Sequence, residues 1–285
     1  MFIERKSCPI CESKNICNQK DKFKREKIIE FLENYYNRKL PEIIYKEYEY
    51  KITQCDECKL VFQKFICDNK LSDYLYENLI DKNASLNKKK NLSFIDFQEY
   101  ILDMSLISNL FQKKSKDIKI LEFGTGWGFW SRLAKSLNYE IEGIEISESR
   151  INFLSEYKIN VTKKIDQKKK YDFIYSNQVF EHLANPKEEF SKLLSVLNQN
   201  SYFLIKVPSS FLIKQKDFFK KFYYKDVLFP LEHINLYNKE VFNFLCKKYN
   251  LTICNNLILK TKTFLGIKTY IKNYFTSSFV LFRKN

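Results

Sequence analysis

Apolar positions cluster most sharply where the chain reads Ile118-Lys-Ile-Leu-Glu-Phe, a short run ending beside an acid. Gly124, Gly126 and Gly128 follow at once, and apolar residues then return at helical spacing through Leu133. This pattern predicts strand, tight turn and helix. Downstream, Tyr139–Ile146 and Lys158–Thr162 read as a second and a third strand, with a helix over Glu148–Tyr157 between them. Tyr171–Asn177 reads as a fourth strand, Glu188–Leu197 as a helix, and Tyr202–Val207 as a fifth strand closed by Pro208. A helix over Lys239–Lys248 and strands over Leu251–Leu259 and Phe279–Phe282 complete this half.

The first third is patterned differently. Phe23–Tyr36 predicts a helix with Ile28, Phe31, Leu32 and Tyr35 on one face, and Lys59–Phe65 a strand. Leu71–Ile80 predicts a short helix, and the lysine- and asparagine-rich stretch Asn83–Ser93 a connector. Phe94–Phe111 repeats apolar residues at helical intervals, among them Phe97, Ile101, Met104, Ile107 and Leu110.

Glycine is rare, five in 285 residues, and three of the five stand at 124, 126 and 128. A backbone that turns sharply and comes close to a ligand explains that concentration. Amides presented at the start of a helix suit a nucleotide-like cofactor. Glu145, near the end of the second strand and about 20 residues on, has the position of an acid that holds paired ribose hydroxyls.

Glu122, two residues before Gly124, and the run Gly124-Thr-Gly-Trp-Gly128 resemble motif I of class I S-adenosylmethionine-dependent methyltransferases. The segment Tyr171–Pro186, with Asp172 opening the strand, Ser176 and Asn177 ending it and Glu181-His182-Leu183 following, resembles the family's post-motif segment. The resemblance covers roughly residues 90 to 285. It implies an α/β fold, a Rossmann-like seven-stranded sheet, over a domain set at 85–285. It implies S-adenosylmethionine as cofactor, bound by Glu122, Gly124, Thr125, Gly126, Glu145 and Ile146, with Asn177 close to its methionine end. Asp166, in the loop behind the third strand, is a candidate against the adenine ring, or a solvated loop acid. The family's Pro-Gly-Gly before strand five is replaced by Asn198-Gln-Asn-Ser201, where asparagine tolerates left-handed backbone.

Four of the eight cysteines form two pairs, Cys8-Pro-Ile-Cys11 and Cys55-Asp-Glu-Cys58. Two such knuckles brought together give the tetrahedral sulfur site that zinc prefers. The 43 residues between Cys11 and Cys55 exceed a minimal ribbon, so a helical insertion must be looped out. Residues 1–84 are accordingly expected to form a small zinc-ribbon-like module. It resembles the N-terminal module of some methyltransferases of sugar and cell-surface polysaccharide pathways. Cys17 and Cys67 stand as substitutes for a ligand, while Cys246 and Cys254 read as buried small hydrophobes.

The net charge of +15 favours an acidic partner, but the lysines are scattered in short clusters such as 88–90 and 168–170. A solvated basic surface accounts for them, and nucleic acid is not the expected partner. The start, Met1-Phe-Ile-Glu-Arg-Lys, lacks the apolar region of a secretory leader, and no apolar run approaches the roughly 20 residues that span a bilayer. A cytoplasmic protein is expected, peripheral membrane contact remaining open.

The chain has two histidines, His182 and His233. Histidine suits a base at neutral pH, and methyl transfer to a hydroxyl needs one. His233 leads, since it lies at the end of the aromatic-rich insertion 209–236, where ligands of this fold bind. Phe211, Phe218, Phe219, Phe222, Tyr223, Tyr224 and Phe229 of that insertion either wall the acceptor pocket or pack ordinarily. His182 is either a base or a packed orienting residue, and Glu181 and Glu232 are alternatives or partners. With Glu232-His233 resembling the second histidine motif of the polysaccharide-associated enzymes, the expected activity is O-methylation of a sugar or sugar-linked small molecule, a nucleotide sugar included, in capsule, lipopolysaccharide or glycan assembly. RNA or protein methylation, and a non-catalytic cofactor-binding module, are the alternatives.

Overall fold

The computed structural model describes residues 1–18, 24–208, 227–255 and 277–285. They divide into two compact units. One gathers residues 1–85, 180–187 and the described part of 208–241; the other gathers 86–179, 188–207 and the described part of 242–285. Two stretches from the second half of the chain therefore fold with the N-terminal segment.

In the first unit, with strands numbered in chain order, β1 (Phe2–Glu4) pairs antiparallel with β5 (Phe65–Cys67). A four-stranded sheet runs in the order β11 (Asn235–Leu236), β4 (Val61–Gln63), β3 (Ile52–Cys55), β2 (Ile16–Asn18). Helix α1 (Arg25–Tyr36) buries Ile28, Leu32 and Tyr36, spaced by four residues, into a core with Ile44, Leu75 and Leu228. The expected face included Tyr35; that ring is instead 56% exposed, and Tyr36 turns inward to a hydrogen-bonding partner. The short helix expected over Leu71–Ile80 forms as α3 (Asn69–Tyr74), continued by a wider turn over Leu75–Leu79.

The expected connector over Asn83–Ser93 is largely helix α4 (Lys82–Lys90). It buries no residue, so no apolar period announces it. Its start is held by Asp81, which accepts from the Ala84 amide at 2.9 Å, and three lysines fill the last turn, where the helix dipole favours positive charge.

The second unit is built on a seven-stranded sheet ordered β12-β13-β10-β9-β6-β7-β8. Its parallel centre comprises β6 (Lys119–Phe123), β7 (Glu140–Ile144), β8 (Asn160–Thr162), β9 (Tyr171–Asn177) and β10 (Leu197–Pro208). At the far edge β12 (Leu251–Ile253) runs antiparallel to β13 (Ser277–Lys284). The chain winds from β6 out to β8 and then returns to β9 on the other side of β6, so the order reverses between β6 and β9. Ligands of open α/β sheets bind outside the carboxyl ends of the strands at such a reversal. Strand β10 begins five residues earlier than expected, with a register irregularity between Leu197 and Tyr202 and Asn200 at φ 59°. The asparagine there takes the left-handed backbone for which the family's turn uses glycine.

Helix α5 (Phe94–Leu110), capped by Ser93, packs Met104, Leu106 and Ile107 against Ile120, Phe173 and Leu204 of the sheet. Inside this core Lys206 donates to both carboxylate oxygens of Asp103, at 2.6 and 2.7 Å, and Trp130 donates to the same carboxylate at 3.2 Å. Breaking such a pair from one side leaves a buried charge unmatched and costs about 3–5 kcal/mol. Among the described residues no helix is long and apolar enough to cross a membrane.

Gly124, Gly126 and Gly128 all hold positive φ, at 80°, 57° and 65°. A Cβ at Gly124 would run into Val179 and one at Gly128 into Leu154, whereas at Gly126 nothing lies within 4 Å. Gly126→Ala is expected to cost only the left-handed strain, about 1–2 kcal/mol. Gly124→Ala and Gly128→Ala are expected to cost a further ~1–3 kcal/mol each from overpacking. Urea denaturation of the three variants checks the order.

Candidate functional site

Two clusters of candidate site residues form, one in each unit. In the second unit the turn after β6 is fixed by its own backbone. The amides of Gly124 and Thr125 donate to the Ile144 carbonyl, at 2.9 and 3.0 Å, tying the turn to the end of β7. Thr125 is buried, its hydroxyl donating to the same carbonyl at 3.2 Å. Helix α6 (Phe129–Ser136) then starts directly after left-handed Gly128.

Glu145 lies just past β7 and is 5% exposed. Its carboxylate accepts from the Gly126 amide at 2.8 Å, from the Ile146 amide at 2.9 Å and from the Ser147 amide at 3.0 Å. Arg150, in the first turn of α7 (Glu148–Glu156), stands 3.6 Å from the same carboxylate and over the Trp127 ring. A carboxylate offers about four lone-pair sites, so room is left for a hydroxyl donor. Ile146 takes part through its amide; its side chain is 64% exposed.

Glu122, at the end of β6, is buried and accepts from the Ser131 hydroxyl of α6. Burial pushes its carboxyl up to about 8, the Ser131 hydrogen bond and the Lys89 charge opposing. A cation brought to it would restore ionisation. Asn177, half-buried, ends β9 beside β6 across the point of reversal. Asp166 is placed differently: it is exposed, and its carboxylate accepts from the Lys168 amide at 3.0 Å, closing its own loop.

In the first unit the cysteine pairs meet. Cys8 Sγ lies 3.5 Å from Cys58 Sγ, Cys11 Sγ lies 3.3 Å from Cys55 Sγ, and all four sulfurs fall within 4.8 Å of one another. Four sulfurs at about 2.3 Å from a tetrahedral ion stand about 3.8 Å apart, so the quartet has the size of a zinc site. The residue after each pair, Glu12 at φ 64° and Lys59 at φ 63°, takes the left-handed conformation, so the two knuckles turn alike. Three of the four thiols are buried, which suits a closed structural site. Cys17 is exposed and neither it nor Cys67 joins the quartet. Cys246 and Cys254 are only partly buried, Cys254 packing against the core of the second unit.

The histidines also meet, and Glu181 joins them. The rings of His182 and His233 lie edge to face with centroids 4.8 Å apart, and a Glu181 carboxylate oxygen is 3.9 Å from His182 Nε2. His182 Nδ1 lies 2.9 Å from the Glu232 carbonyl, and His233 Nδ1 lies 3.2 Å from the Val227 carbonyl. A carbonyl only accepts, so both Nδ1 atoms carry hydrogen, and in a neutral ring Nε2 is then the basic nitrogen. Burial lowers the His233 pKa below its usual value, keeping the ring neutral. Glu181 is wholly buried and neither of its carboxylate oxygens has a hydrogen-bond partner. Burial pushes it up to about 8, so it stands protonated at neutral pH. Glu232 is likewise raised by burial and accepts from Tyr36 at 2.6 Å.

Arg5 assembles this cluster, and sequence gave no sign of it. Its buried guanidinium donates to the carbonyls of Leu183, Ala184 and Ile234 and to the Asn235 side chain, at 2.8–3.3 Å. Asn235 in turn donates to the carbonyls of Phe180 and Leu183. Ser131 and Arg150 were missed because each sits in an ordinary helical first turn. Of the aromatic residues expected to wall a pocket, Phe229 is described and packs on Phe31 and Tyr35; the others lie outside the described residues.

A family model described as a methyltransferase domain matches residues 95–255, more than half of the chain. A comparison with curated proteins finds no match. Among solved structures, the plantazolicin methyltransferase BpumL in complex with a triazolic desmethylPZN analog and SAH aligns at TM-score 0.57 and 18% identity, over 75% of this chain and 95% of that one. BpumL in complex with SAH aligns at TM-score 0.55 and 17% identity, over 75% and 94%. At such identity the likeness is one of fold. The chain belongs to the methyltransferase-domain family and is an S-adenosylmethionine-dependent methyltransferase.

Proposed function

We propose that this enzyme O-methylates a sugar or sugar-linked small molecule, such as a nucleotide sugar, in capsule, lipopolysaccharide or glycan assembly. The observation that carries the reading is the pair of histidines, each Nδ1 facing a backbone carbonyl and His233 kept neutral by burial, beside Glu181 and Glu232, whose carboxyls burial raises toward the protonated form. A site of that kind takes a proton from a neutral hydroxyl and presents further groups to other hydroxyls without burying net charge.

The cofactor supplies a methyl group on a sulfonium leaving group. The chain's part is to hold both partners and to take the proton. Glu145 would receive a ribose hydroxyl, the backbone of the glycine turn would lie along the cofactor, and Glu122 would receive its ammonium. His233, with His182 as orienting partner or second base, would accept the proton of the acceptor hydroxyl at Nε2. Asn177 borders the methionine end, and four chain positions later Glu181 opens the histidine stretch. Asp166, closed on its own loop, is a weaker candidate for the adenine edge. Residues 1–84 act as a module around structural zinc held by Cys8, Cys11, Cys55 and Cys58.

Labelled methyl transfer into a panel of nucleotide sugars, total RNA and protein tests the acceptor class. Label is expected in carbohydrate; label confined to RNA or protein overturns the reading. On the acceptor so found, His233→Gln is expected to lower kcat by about 10²–10⁴ with the affinity for S-adenosylhomocysteine unchanged. Because the base must be unprotonated and burial has lowered its pKa, the acid limb of the kcat/KM profile is expected below pH ~6.5.

Glu122 makes a linked prediction. With its folded pKa near 8 and an ordinary unfolded value, the native state binds the extra proton between those limits, so this group's contribution to stability falls as pH rises through that window. Glu122→Gln is therefore expected to gain stability relative to the parent from pH 5 to pH 9, read by denaturant titration, while losing at least about tenfold in S-adenosylhomocysteine affinity.

Metal analysis of the purified protein is expected to find about one zinc per chain. Cys58→Ser should release it and lower the melting temperature, since a structural site contributes to folding outright. A value near two would instead add an ion at Glu181, His182 and His233.

A further inference from the structure

Glu181 carries a fully buried carboxyl group, and among the described residues neither of its oxygens finds a hydrogen-bond partner. Leaving such a group unsatisfied costs about 1–3 kcal/mol, so its surroundings are expected to hold something for it. What surrounds it is both histidines of the chain. A Glu181 oxygen and one ring nitrogen from each of His182 and His233 all lie within 4.8 Å of one another, His182 Nε2 standing 3.9 Å from the carboxylate. Each Nδ1 faces a backbone carbonyl, that of Glu232 at 2.9 Å and that of Val227 at 3.2 Å, so the lone pair a neutral ring has to offer is at Nε2. Two imidazoles oriented by carbonyls through their other nitrogen, beside one carboxylate, are the ligand set and the supporting hydrogen bonds of a divalent metal.

We propose that Glu181, His182 and His233 form a second metal site, open at one position, for a divalent ion such as zinc. Ligand atoms about 2.0–2.1 Å from a tetrahedral ion stand about 3.4 Å apart, so closing on the ion asks each side chain to shift by about an ångström or less. The stretches that carry the ligands are already tied together. The Ile234 amide donates to the Glu181 carbonyl at 2.8 Å, and the Gln63 side chain of β4 donates to the His233 carbonyl at 3.0 Å. Tyr76 meets the His182 ring edge to face, and Phe229 meets the His233 ring likewise, each at 6.3 Å, giving the ligands an aromatic shell. Soft thiolates favour zinc, so the cysteine quartet fills first and this site second. An ion on His233 Nε2 takes the lone pair that would accept the acceptor's proton. Ion and base therefore exclude each other, and a loaded site is an inhibited one. That consequence for catalysis, unlike the site itself, rests on the base reading of His233.

Because the chain has two histidines, isotopic labelling of histidine nitrogen resolves both rings by NMR in the intact protein. Zinc added to protein washed free of loosely held metal is expected to move both Nε2 signals together while both Nδ1 atoms stay protonated, with total uptake reaching about two ions per chain. Glu181→Gln keeps the size of the side chain and should weaken the second uptake by about tenfold or more, the quartet's ion being retained. Glu232→Gln, at a carboxyl that faces Tyr36 instead, should leave the second uptake unchanged. Histidine signals that ignore zinc, or of which only one responds, overturn the site, as does undiminished second uptake by Glu181→Gln. Should Glu181→Gln fail to fold, the labelled parent decides by the same signals. Methyl transfer to the labelled acceptor, measured in the same samples, is expected to lose about 10²-fold or more in kcat/KM as the second site fills. Uptake that leaves activity unchanged or raises it keeps the site and overturns the base reading of His233 instead.

Discussion

The first unit depends on one buried guanidinium. Arg5, five residues from the chain start, fills its hydrogen-bonding fork with carbonyls and an amide from two stretches that lie some 180 and 230 residues further on. Those stretches carry Glu181-His182 and Glu232-His233. Each of the acceptors is a polar group that would cost about 1–3 kcal/mol if left buried and unpaired. The arginine supplies the donors that let two loops be buried side by side. Burial of the loops is what fixes the histidine tautomers, raises the carboxyls and brings the two rings together.

The same economy of donors appears at the glycine turn of the second unit. The Ile144 carbonyl takes the Gly124 and Thr125 amides, and the Glu145 carboxylate takes the Gly126 amide. Strand β7 thereby shapes the turn that follows β6. Left-handed backbone at all three glycines is required, and at two of them there is no space for a side chain. Glu122 behind this turn is held at a cost to stability, because burial raises its carboxyl well above the usual carboxylate range. Buried ionisable groups of this sort are where a fold departs from its own stability optimum.

The cysteine quartet and the insertion between its halves illustrate a division of labour within one unit. The knuckles are short, alike in backbone and closed by their own hydrogen bonds. The insertion contributes α1, whose Tyr36 both completes the core and donates to Glu232. A segment looped out from a metal-sized site thus ends as the support for a carboxyl next to the histidines.

Much of this was written in the sequence by local rules. Strand, glycine turn and helix from Ile118, the acid after the second strand and the paired cysteines are patterns of spacing, and spacing survives without knowledge of the fold. The parallel core of the sheet follows from them with small shifts at element ends. Helix α4 was invisible because it buries nothing, and the inward turn of Tyr36 in place of Tyr35 was decided by a partner 196 residues away. Tertiary structure alone set what depends on burial: that Arg5 gathers the histidine loops, that Glu122 and Glu181 sit protonated, and that Asp166 spends its carboxylate on its own turn. Residue type and order determine which groups can ionise or ligate; the desolvation that selects among identical residues exists only once distant segments have closed around them.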